Sequence, residues 1–171
     1  MISTERLSLR EWRESDREPW AAMNADPAVR EYFPTVLSRA ESDEAFDRLS
    51  AGLVERGWGL WAVDLDGGFL GFTGLARPRF APDRLEIGWR FAAHAWGHGY
   101  ATEAARAALR FGFETLGEPE IISFTAVGNQ RSRAVMERLG MTCDPADDFD
   151  HPDVAAGHPL QRHVLYRLAR S

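Results

Sequence analysis

The stretch RFAAHAWGHGYATEAARAAL, residues 90–109, joins the end of an aromatic-rich strand directly to a helix. Gly97 and Gly99 flank a histidine at this junction. Glycine permits a tight turn and lets the backbone approach a ligand without a Cβ clash. The first N–H groups of a helix lack internal partners and attract anions, together with the helix dipole. The junction is therefore a candidate pyrophosphate cradle. Its donors would be the amides of His98, Gly99, Tyr100, Ala101 and Thr102.

Two other ligands compete with phosphate at this turn. His94 and His98 have the four-residue spacing of a zinc motif. Ala95 stands where that motif has its glutamate, however, and Gly97 interrupts the helix that the motif requires, so no metal is predicted. A dinucleotide site needs a third glycine and an acidic residue ending the next strand, whereas Glu120 begins that strand. The turn alone does not separate phosphate binding from a connection that uses glycine only for its geometry.

Composition and charge limit the class of protein. The chain has 171 residues, of which 44% are hydrophobic, and this suits one domain over residues 1–171. Its net charge of −6 argues against a nucleic-acid partner. The single cysteine excludes an internal disulfide and fits a cytoplasmic location. We also expect no membrane partner, because no apolar run approaches the roughly 20 residues of a membrane span.

The hydrophobic pattern predicts an α+β fold. Capping boxes at Ser15 and Ser38 predict helices that end at about Asn24 and at Gly57, and Asp26-Pro27 predicts another helix start. A further helix follows the glycine turn and stops at Gly117. Strands are predicted over 6–10, 59–65, 69–76, 85–91, 121–127 and 162–168, with a last helix over about 131–139. The consecutive strands from 59 to 91 have short links, which indicates an antiparallel meander.

Several segments resemble the GNAT N-acetyltransferases. The pattern Gly97-x-Gly99-x-Ala101 resembles the acetyl-CoA-binding motif of that superfamily, although His94 replaces its usual Gln or Arg. The run AWGHGYATEA is closer to the ribosomal-protein-alanine branch, which is RimJ/RimL-like. STERLSLREW, LEIGWRF and GNQRSRAVMERLGM resemble other segments of this branch, in the same order. The resemblance spans nearly the whole chain.

This resemblance implies a mixed, mostly antiparallel sheet flanked by helices, whose fourth and fifth strands splay apart at the acetyl group. It implies that acetyl-CoA transfers its acetyl group directly to a primary amine in a ternary complex. The acceptor would be a small molecule or a protein N-terminus, and a homodimer is compatible with the branch. The strand from Trp89 to Phe91 would pair its backbone with the pantetheine arm, as an extended ligand adds to a strand edge.

Glu86 is the first candidate for the general base that the amine requires. It alternates with Leu85 and Ile87 and so faces the opposite side of the sheet. A surface or salt-bridged carboxylate is the competing interpretation. The carboxylates of the 144–153 loop are further candidates for the base.

Ser132 is the candidate that stabilises the departing thiolate by a hydrogen bond. Asn129 is a candidate cofactor ligand. Each residue has a competing role as a helix cap. Many superfamily members have a tyrosine seven residues after the asparagine, where this chain has Met136. That departure supports an alternative, a catalytically degenerate acyl-CoA-binding sensor or regulator.

Overall fold

The computed structural model describes residues 1–170. In this part of the chain one sheet contains the strands β1 (Ile2–Ser3), β2 (Ser8–Arg10), β3 (Leu60–Leu65), β4 (Gly68–Ala76), β5 (Leu85–Phe91), β6 (Glu120–Ala126), β7 (Thr142–Cys143), β8 (Phe149–Asp150) and β9 (Arg162–Ala169). The α-helices are α1 (Arg17–Ala25), α2 (Arg39–Arg56), α3 (Tyr100–Glu114) and α4 (Gln130–Arg138).

The sheet is mixed and mostly antiparallel, as predicted. Its strand order is β1-β2-β3-β4-β5-β6-β9-β7, and β8 also pairs with β9. The parallel pair is β5 with β6, which are the predicted fourth and fifth strands. Their ladder is confined to Leu85 opposite Ile121 and Glu86 opposite Ile122. Beyond these pairs the two strands separate, and the sheet opens at its centre.

The helices pack on both faces of the sheet. On one face Phe72 of β4 contacts Trp20 of α1, with ring centroids 5.7 Å apart. On the other face Leu75 lies against Gly112 of α3, where an added Cβ would meet Leu75 Cδ1 at 3.2 Å. Arg90 pairs with Phe72 across the β4–β5 ladder and shares its face. Because side chains alternate along a strand, Glu86 and Arg90 point to the α1 side of β5.

The predicted capping box at Ser38 is confirmed, whereas the one at Ser15 is wrong. Ser38 Oγ accepts from the Glu41 amide at 3.3 Å, and Glu41 Oε2 accepts from the Ser38 amide at 2.8 Å. At the other site the Asp16 amide donates to the Arg13 carbonyl at 2.9 Å and closes a 3₁₀ turn, and Asp16 Oδ2 accepts from the Arg13 amide at 2.8 Å. Helix α1 therefore begins only at Arg17. Ser15 lies inside the 3₁₀ turn, and the residue that precedes α1 is Asp16.

The helix predicted to start at Asp26-Pro27 does not form. Asp26 Oδ1 does accept from the Ala28 amide at 2.9 Å, as a helix cap would, and the Arg30 amide donates to the Asp26 carbonyl at 3.0 Å, but the helical hydrogen bonding stops after this one turn. The chain then runs through turns to the start of α2. The short strands β1, β7 and β8 were not predicted, because each has only two residues and so shows no alternating pattern.

Candidate active site

The opening between β5 and β6 widens into a cavity of about 1380 Å³. The starts of α3 and α4, the separated strands, and a segment between α1 and α2 line it. The cavity brings together all but one of the predicted site residues, namely Glu86, Trp89, Phe91, Gly97, Gly99, Tyr100, Ala101, Thr102, Asn129 and Ser132. His98 is the exception.

The glycine turn has the backbone that the sequence predicts. Gly97 and Gly99 have φ angles of +81° and +79°, in the left-handed region that side chains resist. Gly99 caps α3 without a side-chain hydrogen bond, and its carbonyl accepts from the Glu103 amide at 3.1 Å. The earlier amides of this first turn have no acceptor within the helix. These donors are therefore available to an anion in the cavity.

The two histidines of the turn do not lie on one helix. A 3₁₀ turn holds His94, and α3 begins only after Gly99. The His98 ring stacks on Tyr100 with centroids 5.3 Å apart, and its carbonyl accepts from Arg6 Nη1 at 3.1 Å. Within residues 1–170 no three His, Cys, Asp or Glu side chains are grouped to hold a metal. A cofactor contact by the His98 amide stays a prediction.

The far half of β5 offers an unpaired strand edge toward β6. From Ile87 onward β5 has no strand partner on this side. Ser123 Oγ donates to the Ile87 carbonyl at 2.9 Å, just where the strands part. Trp96 Nε1 donates to the Phe91 carbonyl at 2.8 Å and ties the strand end to the glycine turn. An extended polar ligand can add to this edge.

Glu86 lies on the opposite face of β5 from Trp89. Its half-buried side chain forms no hydrogen bond or ion pair within the described chain. Burial raises the pKa of Glu86 to about 8. An added Cβ on Gly88 would meet only Glu86 Oε1, at 3.7 Å, so the space beside the carboxyl is open. A carboxyl with this pKa is suited to accept a proton near neutral pH.

The carboxylates of the 144–153 loop are mostly engaged elsewhere. Asp147 pairs with Arg167 at 2.9 Å, and Asp150 pairs with Arg162 at 3.4 Å. Asp153 lines the cavity but pairs with the exposed Arg79 at 3.2 Å. Glu86, unlike these loop carboxylates, has no ion pair within residues 1–170, and its role as the general base stays a prediction.

Asn129 caps α4, which confirms one of its two predicted roles. Its Oδ1 accepts from the Ser132 amide at 3.2 Å, and its Nδ2 donates to Thr125 Oγ1 at 2.9 Å. The Ser132 side chain is half-buried and lines the cavity rather than capping the helix. Met136, in contrast, is 1% exposed and belongs to the core. Contacts of Asn129 and Ser132 with a cofactor stay predictions.

Sequence reasoning missed the arginines of the cavity. Arg90, Arg106, Arg131 and Arg138 line it in a protein of net charge −6. Arg131 lies over the Trp96 ring at 4.5 Å and pairs with Glu31 at 2.6 Å. Two signals were available in the sequence. Arg131 immediately precedes Ser132, and Arg90 shares the alternation of Glu86.

Comparison with known proteins agrees with this geometry. A family model described as an acetyltransferase (GNAT) domain matches residues 6–142. The chain therefore belongs to the GNAT acetyltransferases. For this domain the predicted enzyme class, an N-acetyltransferase, and the predicted co-substrate, acetyl-CoA, are confirmed.

Individual relatives define the likeness further. The FsC-acetyl coenzyme A-N(2)-transacetylase of Aspergillus fumigatus is 34% identical over 82% of this chain, which spans only 64% of that protein. An acetyltransferase structure from Agrobacterium tumefaciens is 29% identical, with a TM-score of 0.80 over 99% of this chain and 94% of that one. Mycobacterium smegmatis RimJ, solved in complex with CoA-disulfide, shares the fold at 19% identity, with a TM-score of 0.77 over 98% and 85% of the two chains. The RimJ/RimL-like branch therefore stays a prediction.

Separately, no helix described between residues 1 and 170 has the length and apolar character needed to cross a membrane.

Proposed function

We propose that this chain transfers acetyl from acetyl-CoA to a primary amine by direct attack in a ternary complex. One observation carries the proposal. The same cavity contains free helix-start amides on the α3 side of β5 and an unpaired carboxyl, Glu86, on the opposite side. A cofactor and an amine can therefore meet at the opening between β5 and β6.

The proposed cofactor site begins at the glycine turn. The amides from His98 to Thr102 bind the pyrophosphate, and the edge of β5 from Trp89 to Phe91 binds the pantetheine arm. A free N–H of this edge polarises the thioester carbonyl and stabilises the oxyanion that forms on attack. The cations of Arg106, Arg131 and Arg138 line the same cavity and favour a phosphate-bearing ligand.

The proposed transfer needs two proton movements. Glu86, ionised, takes a proton from the ammonium group, directly or through water, and the nitrogen lone pair attacks the thioester carbon. A C–N bond forms, the C–S bond breaks, and CoA leaves as a thiolate. The nitrogen, now bonded to the acetyl carbon, gives up its surplus proton to the thiolate, and Ser132 stabilises the thiolate by a hydrogen bond until that proton arrives. The products are an N-acetylated amine and CoA.

The identity of the acceptor, the cellular location and the oligomeric state are further proposals. Members of the RimJ/RimL-like branch would act on protein N-termini, whereas a small-molecule amine also fits an open cavity. A single domain over residues 1–171, a cytoplasmic location and a homodimer stay predictions. The alternative of a sensor without turnover is not favoured by the family match.

The test is acetyl transfer to a panel of amines, followed by mass spectrometry of the N-acetyl product and by release of CoA thiol. Acetyl-CoA at a hundred times its Kd should also stabilise the fold by about 2.7 kcal/mol. Stabilisation without product from any amine would support the sensor. Neither stabilisation nor product would overturn the whole proposal.

A further inference from the structure

The face of β5 that points toward α1, which we call the acceptor face, contains a second charged side chain that the proposed transfer does not use. Arg90 lies four residues after Glu86, on the same face, and lines the same cavity. Gly88 lies between the two, and because it has no side chain it leaves the surface of the strand open there. Along an extended strand, four residues span about 13 Å between Cα atoms.

Arg90 has no anionic partner. No carboxylate lies within 4.0 Å of its guanidinium in the part of the chain that the structure describes. Its one hydrogen bond is from Nη1 to Asn24 Oδ1, at 2.7 Å. Burial, reinforced by the nearby cation of Arg30, lowers the pKa of Arg90 to about 9. A half-buried cation without a counter-ion is unfavourable, and such groups are characteristic of binding sites.

Two enclosed donors at this position lack an acceptor. Arg90 Nε is buried without a hydrogen-bond partner, and so is Nδ2 of the fully buried Asn24. The amide orientation of Asn24 follows from its contact with Arg90, because a guanidinium can only donate and Oδ1 must face it. The site therefore has more hydrogen-bond donors than acceptors. A ligand that supplies a hydrogen-bond acceptor would complement it.

Aromatic rings give this site a flat shape. The Arg90 guanidinium carbon lies 4.4 Å from the centroid of the Phe33 ring and 5.3 Å from that of Phe72. Arg30 lies over the same Phe33 ring at 4.2 Å and adds a second positive charge. A planar guanidinium can donate two parallel N–H bonds to a planar carboxylate, which is a bidentate pair.

We infer that Arg90 recognises a carboxylate on the acceptor, several bonds away from the amine that Glu86 deprotonates. The inference rests on the proposed function. The amine end lies near Glu86, the connecting chain crosses the open surface of the strand at Gly88, and the carboxylate binds the unused donors of Arg90. Arg90 is thus a specificity residue of the acceptor site, distant from the reacting atoms.

The experiment compares matched acceptors with the whole protein. The probes are 6-aminohexanoate and glycylglycine, each paired with its carboxamide twin, and acetyl transfer is measured with saturating acetyl-CoA. We expect each carboxylate to have a KM at least tenfold below that of its carboxamide. Arg90→Gln should raise the KM of the carboxylates at least tenfold and leave the carboxamides, and the Kd of acetyl-CoA, unchanged.

Two further variants separate recognition from folding and general charge. Arg90→Lys keeps the charge but loses the planar edge, so the carboxylate preference should fall without loss of the fold. Arg84→Gln removes an exposed charge just before β5 and should leave all KM values unchanged. Transfer to carboxylates and carboxamides with equal KM would overturn the inference and keep the proposed function. Absence of N-acetyl product with every probe and with the wider amine panel would overturn both.

Discussion

The two faces of β5 differ in what they offer a ligand. On the α3 face the groups proposed to bind the cofactor are backbone amides, in a turn where Gly97 and Gly99 have positive φ. On the α1 face they are side chains, Glu86 and Arg90, each without an opposite charge beside it. The first face can bind a ligand common to the whole family. The second face can be changed one residue at a time.

This difference decides how each face responds to substitution. Loss of a side chain on the acceptor face removes the interacting group itself. Loss of a side chain at the glycine turn leaves the amide in place, and only a change of backbone conformation disturbs the site.

Glu86→Gln should lower turnover about a hundredfold, because the amide has nearly the same shape but cannot accept a proton. Since burial raises the pKa of Glu86 to about 8, the wild-type rate should increase as the pH rises through about 8. The variant should lack this increase. The ratio of the two rates should therefore be greatest above pH 8 and shrink below it. The measurement is kcat between pH 6 and 9.5 with both substrates saturating.

Asp153→Asn is the matched control for this experiment, because Asp153 lines the same cavity but is ion-paired with Arg79. It should change kcat far less than Glu86→Gln. A wild-type rate for Glu86→Gln at pH 9 would contradict the role of this carboxyl and direct attention to Asp153.

Gly99→Val should reduce the affinity for acetyl-CoA at least tenfold. An L side chain in the left-handed region costs about 1–2 kcal/mol, which the free turn avoids by leaving the binding conformation, and a cost of about 1.4 kcal/mol to restore it on binding is tenfold in affinity. His98→Ala is the control, because it removes a ring outside the cavity and keeps the amide. Its Kd should stay within about threefold of wild type, with or without chelator. Calorimetry on folded variants measures both. The reverse ranking would show that the turn binds through side chains.

Asn129→Ala should destabilise the protein by about 1 kcal/mol, because the start of α4 loses its cap. For a chain of this size that corresponds to a fall in Tm of about 2–4 °C. Asn129→Asp keeps an oxygen for the Ser132 amide and should retain most of the stability. If the fall in Tm were the same for both variants, the donation to Thr125 would be the more important contact.

The contrast also explains what the sequence could predict. The glycine turn and the Ser38 capping box depend on residues within a few positions of each other, and both were found. The Ser15 prediction failed because a 3₁₀ turn over Glu14–Asp16 delays the start of α1, and at Asp26 the cap hydrogen bond forms but only one helical turn follows it. The separation of β5 and β6 came only through the family resemblance, since no local pattern encodes where two strands part. The unpaired state of Arg90 depends on the absence of acids from distant segments, which no motif records.

The smallest predicted effect is on the stability of the folded protein, and it again concerns a residue of the acceptor face, Glu86. Burial raises the pKa of the folded Glu86 from 4.5 to about 8, so the fold favours its neutral form. This stabilisation is complete below about pH 4.5 and is lost as the pH rises through about 8. Glu86→Gln stays neutral throughout and should be the more stable protein above pH 8, by about 0.5–1 kcal/mol after allowance for the open cavity. The difference in Tm should be a few degrees or less at pH 9 and vanish at pH 4.5, in thermal unfolding of the ligand-free proteins. If wild type and Glu86→Gln had the same Tm as each other at both pH values, solvent would reach the carboxyl freely. The raised pKa on which the predicted pH profile of Glu86 depends would then be wrong.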